Sequence, residues 1–229
     1  MNAVECDNVS RIFVQGDAKI HALDQVSLSI PTGDFVSLSG PSGSGKTTLL
    51  NAIGGLDTPD KGTVMVAGKR IDQLGKGPMA DMRLHNIGFV FQAYNLIPVL
   101  SARENVEFVM QVQGVRPKAR KQKANAILAE VGLEGMENRR PHELSGGQQQ
   151  RVAVARAIVS QPALVLADEP TANLDSVSME HLMDLFVLLN KNSQITFVIA
   201  THDQRVMTYA RRKVKMQDGK IVSDTLQSH

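Results

Sequence analysis

The chain carries the stretch Gly40-Pro41-Ser42-Gly43-Ser44-Gly45-Lys46-Thr47, directly after the apolar run Phe35-Val36-Ser37-Leu38. This stretch fits the phosphate-binding pattern G-x-x-x-x-G-K-[ST] without a mismatch. Its glycines allow successive backbone N–H groups to turn inward around phosphate groups. A glycine–serine turn could match by chance, but the strand pattern before it and the helical pattern after it supply the context that the motif requires. The stretch therefore predicts an α/β protein that binds a nucleoside triphosphate.

The individual residues of this stretch suit a bound triphosphate. We expect Lys46 to reach the β- and γ-phosphates and the Thr47 hydroxyl to contact Mg²⁺. Thr47 and Thr48 are predicted to open a helix, Thr48 to Gly54, whose positive N-terminal end faces the anion. The candidate nucleotide-binding residues of the loop are Gly40, Pro41, Ser42, Gly43, Ser44, Gly45, Lys46, Thr47 and Thr48.

A pair of carboxylates follows a second apolar run. Residues 163–167 are apolar and precede Asp168 and Glu169, which predicts a buried parallel strand. Ligands of open α/β sheets collect at the carboxyl ends of the strands, so we expect Asp168 and Lys46 to meet there. Asp168 would hold the Mg²⁺ shell, and Glu169 would orient or deprotonate the attacking water. A solvated loop is the alternative interpretation, and the upstream phosphate loop disfavours it.

With these motifs in place, the chain resembles the ATP-binding subunits of ABC transporters along nearly all of its length. Residues 144–148, Leu-Ser-Gly-Gly-Gln, match the family signature, which other phosphate-loop enzymes lack. Gln92 falls at the Q-loop of the family, Asp175 in the D-loop and His202 at the switch histidine. Phe13 stands where an aromatic residue of the family stacks on adenine, although Tyr is more usual there.

The resemblance implies a mechanism that two subunits share. They pair head to tail, so that each ATP lies between one phosphate loop and the signature of the other subunit. Ser145 and Gly147 would contact the γ-phosphate bound to the partner, and Asp175 would communicate across the dimer. By resemblance, Gln92 helps to ligate Mg²⁺ and senses the membrane partner. The expected catalytic residues are Lys46, Glu169 and His202.

The implied cofactors are ATP and Mg²⁺, and the expected metal ligands are Thr47, Gln92 and Asp168. Taken alone, Gln92 could be a polar residue that ends a strand, and His202 a capping residue before a helix. Their positions at the ends of two apolar strands favour the functional interpretation.

Composition narrows the class of protein. The chain has 229 residues, with 25 Lys and Arg against 23 Asp and Glu, a formal net charge of +2. This balance does not suggest a nucleic-acid partner. A single cysteine, Cys6, excludes an intrachain disulfide and fits a reducing compartment. We find no N-terminal signal and no apolar run of the roughly 18 residues of a membrane helix. We therefore expect a soluble chain whose membrane role comes through a partner.

The resemblance implies one ATP-binding domain, residues 1–229, with a RecA-like parallel sheet of the phosphate-loop NTPase class. N-terminal strands, including Val26 to Ile30 and Thr63 to Ala67, would form an antiparallel layer beside that sheet. Residues 1–92 and 160–229 would form the nucleotide-binding core, and residues 93–159 a helical subdomain that carries the signature.

Local signals within this plan are a capping box at Ser101 and Glu104, a helix from Pro117 to Val131 and a hairpin turn at Asp218-Gly219. A basic cluster at residues 116–123 could contact anionic lipid or a partner, but a solvated helix face is favoured.

Subgroup positions look like those of the lipoprotein-releasing LolD and macrolide-exporting MacB group. Ala167 before the carboxylate pair and Ser176 after the D-loop favour this group over amino-acid importers, which also resemble the chain. The resemblance implies an ATPase at the cytoplasmic face of the cell membrane. It would drive a separate FtsX/MacB-like permease in export, lipoprotein release or mechanotransmission, with any periplasmic partner reached through that permease.

Two further classes stay open as alternatives. A soluble, non-transport ABC ATPase of ribosomes or DNA is disfavoured by the single cassette and by the lack of room for a long coiled coil. A regulatory subunit that binds ATP without turnover is disfavoured because Glu169, His202 and the signature are present.

Overall fold

The structure is a computed structural model that describes residues 1–16 and 18–227. Its strands are β1 (Asn2–Gln15), β2 (Ala18–Pro31), β3 (Phe35–Ser39), β4 (Lys61–Val66), β5 (Lys69–Arg70), β6 (Ile87–Phe91), β7 (Leu164–Asp168), β8 (Thr196–Thr201), β9 (Arg212–Gln217) and β10 (Lys220–Leu226). Its α-helices are α1 (Lys46–Ile53), α2 (Lys76–Asn86), α3 (Ala102–Val112), α4 (Pro117–Glu130), α5 (Gly146–Ile158), α6 (Ser176–Ser193) and α7 (Gln204–Thr208). A 3₁₀ turn, Pro141–Glu143, precedes α5.

The strands form two sheets. A four-stranded antiparallel sheet has the order β2-β1-β4-β5, and a six-stranded sheet has the order β10-β9-β3-β8-β7-β6. In the larger sheet β9, β3, β8, β7 and β6 are parallel, and β10 is an antiparallel edge strand. The prediction of a parallel core sheet with an N-terminal antiparallel layer is confirmed. Because β8 lies between β3 and β7, the phosphate loop and the carboxylate pair flank the end of β8.

Side chains of the larger sheet alternate between two hydrophobic clusters. In β7, Leu164 and Leu166 belong to the cluster formed with α1 and the antiparallel sheet, whereas Val165 and Ala167 belong to the cluster formed with α3 to α6. This period of two is the pattern of a strand buried on both faces. With both faces covered, the carboxyl ends of the strands and the loops that follow them are left to form a site.

Local predictions hold with small corrections. The capping box is present, since Ser101 Oγ accepts from Glu104 N and Ser101 N donates to Glu104 Oε2. The hairpin turn is present as well, with φ of 48° at Asp218 and 75° at Gly219. The predicted bounds Thr48 to Gly54 are wrong: α1 begins at Lys46, because Gly45 caps it in the left-handed conformation with φ of 101°.

The helical segment at residues 93–159 contains α3, α4 and α5. Their buried side chains share one hydrophobic cluster with β7 and β8, and the division into core and helical subdomain stays a prediction. Among residues 1–16 and 18–227, no helix has both the length and the apolar character needed to cross a bilayer.

Candidate active site

The phosphate loop joins β3 to α1, and its shape depends on glycine at two positions. A Cβ at Gly40 would lie 2.3 Å from the carbonyl oxygen of Met216, and one at Gly45 would lie 2.4 Å from that of Ala22. Both residues also have positive φ values, 150° and 101°. Any side chain at either position would push the loop away from its neighbouring strands. The two glycines thus set the path of the loop over the N-terminus of α1.

Lys46 is buried at the first position of α1. Its Nζ donates to the carbonyl oxygens of Gly40 at 2.8 Å and Pro41 at 3.0 Å. Nearby, Ser44 Oγ is buried and has no hydrogen-bond partner among the described residues. A buried ammonium that donates to loop carbonyls, beside a hydroxyl without a partner in the described part of the chain, fits a site for an anion.

A cleft of about 740 Å³ opens beside this loop. Most of the predicted site residues line it: Phe13, Pro41, Ser42, Gly43, Gly45, Lys46, Thr47, Thr48, Gln92, Glu169 and His202. The other predicted residues are not among its lining: Gly40, Ser44, Ser145, Gly147, Asp168 and Asp175. The fold therefore brings together residues that lie far apart in the sequence, from Phe13 to His202.

Asp168 ends β7 beside the phosphate loop. Burial raises the pKa of Asp168 above its ordinary value. The neighbouring Thr47 hydroxyl and the charge of Lys46 lower this pKa, and the charge of Glu169 raises it. The predicted meeting of Asp168 with the loop is thus present, and the carboxylate sits in a place where a cation would favour its charged form.

Glu169 and His202 form a pair across the ends of β7 and β8. Nδ1 of His202 lies 2.8 Å from Oε1 of Glu169, and the histidine ring is exposed whereas the carboxylate is mostly buried. The helix that follows, α7, is capped by Asp203, whose side chain accepts from Arg205 N. His202 is therefore not a capping residue, and its ring is turned toward the carboxylate instead.

Gln92 follows β6 and is tied to the segment after the carboxylates. Its Nε2 donates to Asn173 Oδ1 at 3.5 Å, and Asn173 Nδ2 donates to the Gln92 carbonyl at 3.1 Å. The contact between Asn173 and Gln92 was not predicted from the sequence, because the two residues are 81 positions apart. The one signal in the sequence for this contact was that Asn173, which has an amide side chain, lies beside the predicted D-loop.

Ser145 caps α5 in a capping box with Gln148, and Asp175 caps α6 by accepting from Ser178 N and Oγ. The two helix starts are neighbours, since a Cβ at Gly147 would lie 3.0 Å from Ser178 Oγ. Ser145, Gly147 and Asp175 thus gather at one place, but that place is outside the cleft beside Lys46.

Phe13 lies on β1 opposite Ile20 of β2 and is 42% exposed. The guanidinium carbon of Arg11 is 4.9 Å from the centre of its ring. The ring forms part of the cleft wall together with Ile20, so Phe13 is not a core residue.

Fold and site together define a phosphate-loop nucleotide-binding protein with a parallel sheet. The profile of the ABC transporter family matches residues 23–172. The chain belongs to this family and is an ATP hydrolase of the ABC type.

Two curated relatives illustrate the similarity. The macrolide export ATP-binding/permease protein MacB of Hyphomonas neptunium is 44% identical over 222 residues, 97% of this chain and 34% of that protein. A Thermotoga maritima protein named "Uncharacterized ABC transporter ATP-binding protein" is 44% identical over 218 residues, 95% of this chain and 93% of that protein. The chain thus spans about a third of the length of the MacB relatives that it matches.

Two solved structures of the ATP-binding cassette MJ0796 share the fold. One is a dimeric structure of this bacterial ABC transporter cassette, with a TM-score of 0.92. The other is a dimeric post-hydrolysis state bound to ADP and Pi, with a TM-score of 0.91. Each is 40% identical and covers 99% of both chains.

Proposed function

We propose that this chain is the ATP-hydrolysing subunit of a MacB-like transporter, in which two copies close around two ATP molecules and drive a separate permease. One observation supports this most directly. Lys46, Thr47, Glu169 and His202 line the same cleft, and Asp168 lies near enough to Thr47 and Lys46 for both to lower its pKa. Such a set provides a phosphate cradle, a metal-binding carboxylate and a general base in one place.

The triphosphate would occupy the cleft over the N-terminus of α1. Lys46 Nζ would exchange its two loop carbonyls for oxygens of the β- and γ-phosphates. Backbone N–H groups of the loop and the positive end of α1 add to this attraction. Phe13, on the wall of the cleft, would stack on the adenine ring.

A Mg²⁺ ion fits the oxygen atoms that Thr47, Gln92 and Asp168 offer, since this ion prefers oxygen ligands and needs few of them from the protein. Burial raises the pKa of Asp168 against the opposing effects of Thr47 and Lys46, so a bound cation would favour the charged carboxylate. When bound, the ion would neutralise charge on the β- and γ-phosphates.

Hydrolysis would depend on the pair Glu169 and His202. An ionised carboxylate can only accept hydrogen bonds, so Nδ1 of His202 carries the hydrogen in their 2.8 Å contact. This bond orients the carboxylate, which would take a proton from the attacking water. A hydrogen bond from the other ring nitrogen, Nε2, to the γ-phosphate would require the doubly protonated ring, because a neutral ring with its hydrogen on Nδ1 has only a lone pair at Nε2.

A second copy of the chain would complete each site. Ser145, Gly147 and Asp175 gather outside the cleft that contains Lys46, so they would act on the nucleotide of a partner. The N-terminus of α5, capped by Ser145, is suited to an anion. The dimeric form of the cassette MJ0796, which is similar along 99% of the chain, supports this arrangement.

The permease would bind in a second cavity, of about 410 Å³, between α2, α3, α5 and β6. Its walls are mainly apolar and include Leu56, Phe89 and Val109. Two arginines, Arg83 and Arg156, also line it, and both donate to backbone carbonyls rather than to carboxylates. An amphipathic segment with an acidic side chain would fit this cavity, and the permease part of the MacB relatives is the proposed source.

In this arrangement the chain would lie at the cytoplasmic face of the membrane, and any periplasmic partner would be reached only through the permease. The docking proposal can be tested with two leucines that are equally exposed, each at 48%. Leu56→Glu should abolish co-purification with a MacB-like permease from the same genome, whereas Leu188→Glu on α6 should retain it. Equal binding by both variants would contradict docking in this cavity.

The nucleotide site can be tested by equilibrium titration with Mg-ATP. Lys46→Ala removes the charge that would contact the β- and γ-phosphates and should abolish binding. As a control, Lys191→Ala removes an exposed lysine of α6 and should leave the affinity unchanged. Micromolar affinity retained by Lys46→Ala would overturn the assignment of the phosphate loop.

A further inference from the structure

Gln150, in the second turn of α5, has no solvent exposure although its side chain is polar. Its Nε2 donates to the carbonyl oxygen of Pro170 at 2.6 Å and to that of Phe91 at 3.4 Å. Phe91 directly precedes Gln92, and Pro170 directly follows Glu169. A single side-chain amide therefore contacts both segments that carry the proposed metal ligand and the proposed general base.

The Nε2 end of the Gln150 side-chain amide has hydrogen-bond partners. Its Oε1 is buried and has no hydrogen-bond partner among residues 1–16 and 18–227. Apolar residues follow on the same helix, with Val152, Ala153 and Ala155 all fully buried. An apolar side chain at position 150 would suit these surroundings, and a half-satisfied amide costs free energy there. Compared with an apolar side chain, an amide at this position adds the two hydrogen bonds to the backbone carbonyls of Phe91 and Pro170.

The position of Gln150 on α5 links it to the signature. The helix begins at Gly146 and is capped by Ser145, the residue proposed to contact the nucleotide of the partner. Gln150 is five residues from that cap, within the same continuous helix, so the cap and the amide move together. A displacement of the N-terminus of α5 would change the contacts with Phe91 and Pro170.

We propose that Gln150 is a positioning residue that couples engagement of Ser145 by the partner's nucleotide to the placement of Gln92 and Glu169. This inference rests on the proposed function, because it assumes hydrolysis at the shared site. Gln150 touches neither nucleotide nor metal in this scheme. Its hydrogen bonds would instead fix the positions of the two backbone segments that carry Gln92 and Glu169.

The test uses Gln150→Met, which keeps the length of the side chain and removes the donor. We expect kcat for ATP hydrolysis to fall by roughly 10- to 100-fold, the usual effect of a small misplacement of catalytic groups. The Kd for Mg-ATP should stay within about twofold of wild type, since the phosphate loop is unchanged. Gln149→Met is the matched control, because Gln149 Nε2 donates to Leu144 O just before the same helix rather than to Phe91 or Pro170, and it should keep the wild-type kcat.

A second variant guards against a folding defect. Gln150→Leu also removes the donor and suits the apolar surroundings of this position, so it should keep the thermal midpoint and show the same separation of kcat from Kd. An unchanged kcat in either variant, or a kcat that falls together with the thermal midpoint and the ATP affinity, would overturn this inference. A wild-type chain that neither binds nor hydrolyses ATP would instead overturn the proposed function.

Discussion

Nδ1 of His202 lies 2.8 Å from Oε1 of Glu169, although the two residues follow different strands. The backbone strengthens this contact, since Glu169 N donates to the carbonyl oxygen of Ala200 at 2.9 Å. Glu169 also has a φ of 46°, a left-handed value that is uncommon for a residue with a side chain. Backbone strain of this kind clusters at functional sites, and here it turns a carboxylate toward the end of the neighbouring strand.

Glu169→Gln should slow the chemical step by roughly 10²- to 10⁴-fold, the usual contribution of a general base. The amide keeps the size of the side chain, and Asp168 with the phosphate loop is untouched, so nucleotide binding should persist. Bound ATP would then hold two chains together by linkage. Gel filtration with Mg-ATP should show a dimer for the variant and mostly monomer for wild type under turnover. Hydrolysis near the wild-type rate would refute a base at this position.

His202→Ala should also slow hydrolysis, but by less than Glu169→Gln, because the carboxylate remains and only its orientation is lost. The ATP-trapped dimer should form more weakly. The exposed His181 on α6 supplies the control, and His181→Ala should hydrolyse ATP at the wild-type rate. Single-turnover kinetics of the three proteins give the comparison, and a larger loss for His202→Ala than for Glu169→Gln would reverse the assigned roles.

Ser145→Arg should leave ATP binding by the monomer largely intact and block hydrolysis, because the bulky side chain would prevent closure on the nucleotide of the partner. Loss of the helix cap costs about 1 kcal/mol, so thermal denaturation must be measured in parallel. Mixed with Lys46→Ala, the variant should regain at most about a quarter of the wild-type rate, since half of randomly paired dimers carry one intact site. Equal loss of binding in both single variants would argue against a shared site.

Asp168→Asn should stabilise the nucleotide-free protein at neutral pH. Burial raises the pKa of Asp168, so the folded chain binds this proton more tightly than the unfolded chain does. The protonated carboxyl group therefore contributes stability that is fully present below the unfolded-state pKa and is lost as the pH rises through the higher, folded-state pKa. The advantage of Asp168→Asn should shrink as the pH falls. Urea denaturation at several pH values measures this, with the exposed Asp184→Asn as the control; an equal gain for Asp184→Asn would contradict the explanation.

Phe13→Ala should weaken ATP binding by roughly 5- to 150-fold, which corresponds to about 1–3 kcal/mol for stacking of a base on an aromatic ring. Phe13→Tyr should bind as well as wild type, because the ring is retained. Val14 is the next residue on the same strand and is 71% exposed, and it points to the other side of the strand. Val14→Ala should have no effect, and equal affinities for all variants would exclude stacking at Phe13.

Motifs with short spacing were predictable from the sequence. The phosphate loop, the capping box at Ser101 and the turn at Asp218 depend on neighbouring residues, whose preferences determine the local backbone. The strand β1 was not predicted, since Asn8 with φ of 50° lies in an irregular register between Cys6 and Val9 and interrupts the alternation. The helix α2 was hidden by Gly77 and Pro78, which occupy its first turn, where a missing N–H breaks no hydrogen bond of the helix.

The long-range parts of the candidate site could not be predicted in the same way. The contact of Gln92 with Asn173 and the contacts of Gln150 with Phe91 and Pro170 join segments far apart in the chain. Each depends on the strand order of the folded sheet, in which β6 and β7 are neighbours. Residue types alone carry no signal for such pairs, because an amide side chain can serve many partners.

The alternation of β7 between two hydrophobic clusters limits how this sequence can change in length. Inserting or deleting one residue before Asp168 would exchange Leu164 and Leu166 with Val165 and Ala167 between the clusters. The same slip would turn the carboxylate of Asp168 away from Thr47. Insertions and deletions should therefore be tolerated in connections such as the α3–α4 turn at Gly114, where an added Cβ would meet open space. In β7 they should disrupt both the packing of the sheet and the position of Asp168, so the loops of this protein can change in length where the strand that carries its carboxylates cannot.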